Sequence, residues 1–455
     1  MAAVGGRRSG SDRSVSISGA SVDSRRVTPG SIFAALRGER VDGHDFVADA
    51  VRAGAVAALV ERPVELPAEL DVPQVIVADA LRALGDLAAW WRARHAVRVV
   101  GVTGSTGKTV AKEMIADVLS RTMRTLRNEG NLNSESGLPM TLLRLDASHE
   151  AAVLEMGMYT TGEISRLAEI AQPEVGVVLA VHATHLERAG SIERIAQAKA
   201  ELPAALPAGG LAVLNADDPR VLAMGEVTAA TAWTFGLGSG ADVRATDVVG
   251  HGLAGTEFTI EAAWGSSRVR SGTPGRHLVP HALTAAAVAE WMGVPSTEVA
   301  EALAAGSSAE HRMAVLTAAS GATVVDDSYN ASPVSVAAAL AFLAETPIAA
   351  GGRRIAVLGD MLELGPEEER LHREIGALAA RSADALVAVG QRGAWIAAGA
   401  VEAGATRVHL ADDADDAAEV TERELAPGPK DLVLVKGSRG VGLDVTVDVL
   451  RGDAG

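Results

Sequence analysis

The sequence predicts an α/β chain of several domains, built largely on parallel sheets. Three observations carry this prediction. The chain has 455 residues, too many for one core and enough for two to four domains. Short continuous Val/Leu/Ala runs recur from residue 98 onward, and such runs read as strands buried on both faces. Segments of helical spacing lie between most of them, the alternation of a doubly wound sheet.

Composition sets limits on function. Apolar residues make up 48% of the chain, so sizeable cores are available. With 58 acidic against 41 basic residues, the net charge is -17. That argues against nucleic-acid or acidic-membrane partners, which need a basic surface. Cysteine is absent, which excludes disulfides and thiolate metal sites and fits the cytosol. No apolar run approaches the roughly 18 residues that would cross a bilayer. The start, "MAAVGGRRSGSDRSVS", lacks a hydrophobic signal core. Residues 1–13 are expected to be mobile, and the protein to be cytoplasmic and monomeric, with no membrane insertion.

The elements follow in order. Residues 1–96 are mixed. Residues 97–310 carry strands at "RVVGVT" (98–103), "AAVLEM" (151–156), "VGVVLAV" (175–181) and "LAVLN" (211–215). Residues 231–275, rich in Gly and Thr, predict a small antiparallel insertion. Helices follow at 281–293 and 296–305. Residues 311–455 form a second doubly wound unit, with strands at 322–327, 354–359, 385–390, 407–411 and 431–437. Its helix at 366–382 opens with a proline and acids, as a helix N-terminus prefers. No GxGxxG follows its first strand, which argues against a dinucleotide role.

The stretch "VTGSTGKT" (102–109) sits at a strand-to-helix junction. A strict P-loop wants glycine six residues before its lysine, where this chain has Val102. The chemistry survives the displacement. Backbone N–H groups of the turn from Thr103 through Gly104, Ser105, Thr106 and Gly107 converge on an anion, and the helix adds its positive end. Lys108 reaches outer phosphates, and Thr109 offers Mg²⁺ a hydroxyl. The loop predicts a nucleoside triphosphate site.

Ligands in open parallel sheets sit beyond the carboxyl ends of the strands. Glu155 closes one strand, either as an Mg²⁺ ligand or as a solvated surface acid. His182 and His185 follow another, with structural and functional readings both open. Asn215, Asp217 and Asp218 lie in "NADDP", which is also a good turn. Lys199 continues the apolar stripe of Ile192, Ile195 and Ala196, which turns a lysine inward. An unpaired buried ammonium costs several kcal/mol, so Lys199 either meets anions, is chemically modified or snorkels to the surface.

From about residue 19 to 450 the chain resembles the Mur ligases of bacterial cell-wall synthesis, which carry T-G-x-x-G-K-T at the loop. The resemblance implies three domains: a small N-terminal α/β UDP-sugar-binding domain (1–96), a central P-loop parallel-sheet ATPase domain (97–310) and a C-terminal Rossmann-like doubly wound domain (311–455). "DSRRVTPGSIFAALRGERVDGHDF" (23–46) is similar to the sugar-nucleotide domain, which implies substrate contacts for Ser24, Arg25, Asp42, His44 and Asp45. "GNLNSESGLPMTLL" (130–143) is similar to a loop facing both substrates, through Asn131 and Asn133. Glu155 in "LEMG" matches a metal ligand. His185 and Lys199 match a catalytic histidine and a lysine that the family carbamylates, both beside the metal. Arg312, Asp327 and Tyr329 match nucleotide contacts. "LGDMLELG" and "KGSRG" resemble the branch that adds a D-alanyl-D-alanine dipeptide, which assigns Asn330, Asp360, Glu363, Lys436, Ser438 and Arg439 to substrate.

That branch uses ATP and Mg²⁺ to join D-Ala-D-Ala to UDP-MurNAc-tripeptide, with Lys108, Lys199 and His185 at the chemistry. Another amino-acid ligase of the superfamily and a non-catalytic nucleotide-binding paralogue are the competing readings. A "DNPR"-like motif, expected of the ligase that adds the third residue, is not found. Four positions depart from the family pattern. Leu278 and His281 replace asparagines, with His281 at the adenine position, and Ser134 and Ser332 do likewise. The family's first helix is also largely missing, with "AAVGG" as its remnant.

Overall fold

A computed structural model describes residues 2–38, 40–182 and 190–452. Among these residues three sheets form, of five, nine and six strands. With strands numbered in chain order, the first sheet runs 1-5-4-3-2, the second 14-13-12-11-10-9-6-8-7 and the third 15-16-20-17-18-19. The strands at Arg98–Thr103, Ala151–Glu155, Val175–Val178 and Leu211–Asn215 pair in parallel and are buried almost throughout. That is why they read as continuous apolar runs rather than alternating ones.

Two expectations are corrected. The expected mobile stretch contains an ordered strand: Arg7–Gly10 pairs antiparallel with Pro73–Ile76 as the edge of the first sheet. Polar composition concealed this, because an edge strand needs backbone donors and acceptors more than an apolar face. Residues 231–275 are not a separate insertion either. Thr231–Gly236 and Val243–Gly250 extend the central sheet in parallel, and only the last two strands turn antiparallel.

The cores join the sheets. Leu84 and Ala88 of the helix Ala80–Arg92 pack with Leu138, Leu142, Leu167 and Ile170 of the central unit. Trp91 adds an indole N–H to the Leu145 carbonyl (2.9 Å). A second apolar cluster continues from Val279 and Leu283 into Met313, Val336 and Leu340 of the third sheet's layer.

Strand register sets the chemistry. Val102 pairs with Glu155, so the strand before the glycine turn and the strand ending in Glu155 finish at one edge. In the third sheet Asp326 pairs with Val435 and Leu358 with Lys436. Asp327, Lys436 and Asp360 therefore also emerge at one carboxyl edge. No helix of the described residues is long and apolar enough to cross a membrane.

Candidate active site

The glycine turn runs from the buried Thr103 to the helix Lys108–Leu119. Gly107 has φ +79°, and a Cβ there would lie 1.9 Å from His281 Nε2. Only glycine fits, on backbone and on space alike. A Gly107→Ala variant is expected to lose ATP affinity by roughly 10- to 100-fold, the equivalent of the strain such a residue carries. Calorimetry with a non-hydrolysable ATP analogue reads this directly.

Lys108 donates to the Gly104 carbonyl at 2.9 Å. Burial pulls its pKa down, Glu155 pushes it back up and Arg312 lowers it further. Thr109 donates its hydroxyl to Glu155 Oε2 (2.8 Å) and accepts from Arg312 Nη2 (3.0 Å). Asn133 donates to the other Glu155 oxygen at 2.7 Å. Glu155 is 4% exposed, so the solvated-acid reading is excluded. Among the described residues its side-chain hydrogen-bond partners are a hydroxyl and an amide, neither of them a cation. Two hard oxygen donors side by side fit Mg²⁺.

Lys199 is 3% exposed and lines the same cavity, which excludes snorkelling. Burial first, then Lys108, push its pKa well down, with Glu155 opposing. An amine held neutral is a nucleophile. His185 lies outside the described residues.

The cavity, about 1160 Å³, opens between the three sheets. From the third sheet it takes Arg312, Asp327, Tyr329, Asn330, Glu363, Lys436, Ser438 and Arg439. Lys436 Nζ donates to Asp327 Oδ2 (2.6 Å) and to the Asn330 carbonyl (2.9 Å). The Arg312 guanidinium stands 4.3 Å from the Tyr329 ring centroid, a cation–π geometry. Ser105, Thr106, Asn131, Asn133 and His281 also face this space. Burial pulls His281 down to about 4. Its ring is therefore neutral near pH 7, and its buried Nδ1 has no hydrogen-bond partner among the described residues.

Several expected site residues are not brought to the cavity. Thr103 is fully buried and donates to the Met156 carbonyl (2.9 Å), so its hydroxyl is spent inside the sheet. Asp360 accepts the Arg392 backbone N–H (2.9 Å), because a buried carboxylate takes the nearest donors. Arg25 folds back on Asp23 through two side-chain bonds of 2.9 and 2.8 Å, and Ser24 shares that turn. His44 is 2% exposed, and both its nitrogens are used. Nδ1 donates to Asp42 (2.6 Å) while Nε2 accepts the Glu61 backbone N–H (2.8 Å). Asp42 also takes Arg62, which lies 4.0 Å from the exposed Asp45. His44→Ala is thus expected to destabilise the fold by about 2 kcal/mol through the orphaned Glu61 N–H and the lost packing. Denaturant melts check it. Asn215, Asp217 and Asp218 serve their turn, holding Leu179, Leu237 and Val181 through backbone bonds.

Further residues at or beside the cavity lie outside the candidate set read from the sequence. Arg26, Leu36 and Leu81 line its first-sheet side, and His277 stands opposite. Asn128 holds the Glu155 backbone at both N (2.9 Å) and O (3.1 Å). A polar residue directly after a strand was the only hint.

Family models match along the chain: the Mur ligase family catalytic domain over residues 16–92, the Mur ligase middle domain over 102–289 and the Mur ligase glutamate ligase domain over 311–439. The UDP-N-acetylmuramoyl-tripeptide–D-alanyl-D-alanine ligase of Escherichia coli K12 is 38% identical, covering 98% of this chain and 96% of its own. Its Mycobacterium tuberculosis H37Rv counterpart is 42% identical over 95% and 91%.

The chain belongs to the Mur ligase family.

Among solved structures, MurF of Acinetobacter baumannii superposes with a TM-score of 0.85 at 32% identity, covering 96% of this chain and 94% of that one. The Thermotoga maritima MurF ligase in complex with ADP gives 0.81 at 29%, over 95% and 97%. Seen as a Mur ligase, the chain's departures have physical substitutes. Ser332 caps the helix Pro333–Glu345 by accepting from Ser335 N, and Ser134 accepts from Gly137 N. At Ser332 a hydroxyl fills the N-cap position as an asparagine side chain would. Leu278 is 7% exposed and joins the apolar core.

Proposed function

We propose that this chain is the ATP-dependent ligase that joins D-alanyl-D-alanine to UDP-MurNAc-tripeptide, giving the UDP-MurNAc-pentapeptide precursor of peptidoglycan. The observation that carries this reading is the meeting of Lys108, Glu155 and Lys199 of the central unit with Arg312, Asp327 and Lys436 of the C-terminal one around one cavity. The domain division at 1–96, 97–310 and 311–455, a cytoplasmic location and a monomeric state belong to the same reading.

ATP lies with its phosphates on residues 104–109 and its base toward His281 and Tyr329. The tripeptide's terminal carboxylate attacks the γ-phosphorus. A P–O bond forms, the bond to ADP breaks and ADP leaves with the electron pair. Two anions must approach each other, so charge neutralisation governs the barrier. Lys108 supplies it from the loop and Arg312 from the opposite sheet. Thr109 and Glu155, with His185 and a carbamylated Lys199, would hold Mg²⁺, which would supply further positive charge at the phosphates. The dipeptide amine then attacks the acyl phosphate carbon. A C–N bond forms, the amine gives up a proton, and phosphate departs. Lys436, Ser438, Arg439, Asn330 and Glu363 hold the peptide substrates, and closure of the sheets around them excludes water that would hydrolyse the acyl phosphate.

With purified protein, ATP and Mg²⁺, phosphate release is expected only when UDP-MurNAc-tripeptide and D-Ala-D-Ala are both present. The product mass should equal the two substrates less one water. Release with ATP alone, or with glutamate or a diamino acid replacing the dipeptide, would reject this assignment.

A further inference from the structure

We propose that His311 is a positioning residue that sets Arg312 against the phosphate loop. The inference rests on the reading of Arg312 as a nucleotide contact.

Arg312 sits in the connection between the central and third sheets. The residues on either side of it both have left-handed backbone, His311 at φ +54° and Met313 at φ +55°. Non-glycine residues rarely adopt that region, and two flanking a single arginine need the surroundings to hold them. Met313 is 2% exposed and held by the apolar core. His311 is held by polar bonds instead. Its Nδ1 lies 2.7 Å from Asp326 Oδ2, and its carbonyl accepts the Tyr329 backbone N–H (3.2 Å).

Asp326 is a rigid anchor. It is 2% exposed, and its other oxygen accepts both the backbone N–H (3.0 Å) and the hydroxyl (2.6 Å) of Ser328. A buried carboxylate of this kind needs its remaining donor, and the His311 ring N–H supplies it. The bonds close a circuit. His311 grips residues 326–329, the Tyr329 ring at the end of that segment lies under the Arg312 guanidinium, and Arg312 Nη2 reaches the Thr109 hydroxyl on the loop. Arg312 Nε is buried without a partner among the described residues, so its own hydrogen bonds do not fully fix its direction. The backbone turn that His311 maintains has to do so.

Upstream, Ser308 Oγ bonds Asp117 (2.9 Å) on the helix that starts at Lys108. The connection is therefore fastened to the loop's own helix four residues before Arg312.

Three variants of the full chain test this, with steady-state kinetics and thermal melts. His311→Gly keeps the left-handed backbone accessible and removes the ring. It is expected to raise KM for ATP about tenfold and to lower the melting temperature through the unpaired Asp326 oxygen, with KM for D-Ala-D-Ala little changed. His311→Asn, which tolerates the same backbone and can donate to Asp326, is expected to restore most of the ATP affinity. Arg312→Ala is the reference, and its KM for ATP should rise at least as far. If Arg312→Ala leaves KM for ATP unchanged, the nucleotide reading of Arg312 fails. If Arg312→Ala raises it and His311→Gly does not, the positioning role fails. An equal rise in KM for both substrates would make His311 merely structural and also overturn the proposal.

Discussion

Lys108→Ala is expected to lower kcat/KM for ATP by roughly 10³-fold or more, the scale seen when a charge partner of a transferring phosphoryl group is lost. Among the described residues its ammonium bonds only the Gly104 carbonyl, inside its own turn. The group therefore supports little tertiary structure and is free to pass to a phosphate. Its pKa is already drawn down by burial and by Arg312, and an arriving phosphate restores the charge. Arginine is no substitute, because a planar fork needs more room than the turn leaves around a point charge. Coupled phosphate-release assays give the number, and circular dichroism verifies that the fold persists. A variant retaining a tenth of the parent activity would show that the loop's backbone alone neutralises the phosphates.

Lys199→Ala is expected to cost about 10²- to 10³-fold in kcat, with part of the loss recovered on adding acetate or formate, whose carboxylate stands in for a carbamate. Undiminished activity in the alanine variant would refute a catalytic role for Lys199. Stability should move the opposite way. In bicarbonate-free buffer the folded amine titrates far below an ordinary lysine, mainly because it is buried. Between the folded value and the unfolded 10.5, the unfolded chain binds the extra proton. Stability from this group is therefore complete only above the unfolded value and is lost as pH falls through that window. At pH 7 Lys199 opposes folding, so Lys199→Met should melt at a higher temperature than the parent while turning over far more slowly. A stabilised but inactive variant is the signature of a buried charge kept for chemistry.

Much of the site is legible in the sequence. The turn at 104–109, Glu155 at a strand end and Lys199 on an apolar stripe each carry a local pattern with a physical meaning, and each lines the cavity. The N-terminal residues were harder to read. Arg25, Asp42 and His44 resemble a binding motif, yet Arg25 is engaged with Asp23, His44 with Asp42 and the Glu61 backbone, and Asp42 with Arg62. A sequence shows which groups can bond a ligand but not whether a neighbour has already bonded them. Asp360 and Thr103 differ from expectation for the same reason. Ser134 and Ser332 show another case: each hydroxyl accepts a backbone N–H near a helix start, a local bond that the residue type alone allows.

By itself the sequence determined the alternation of buried strands and helices, the glycine turn between them and the inventory of charges needed to bring two anions together. Each is set by residues close in the chain, where propensity and periodicity act. The tertiary structure alone decided which groups face one another. Register brings Glu155 beside the turn, packing of the third sheet delivers Arg312 to Thr109, and Lys436 finds Asp327 across 109 positions of chain. Those pairings depend on long-range packing and on competition for buried hydrogen-bond partners, and neither leaves a local trace in the order of residues.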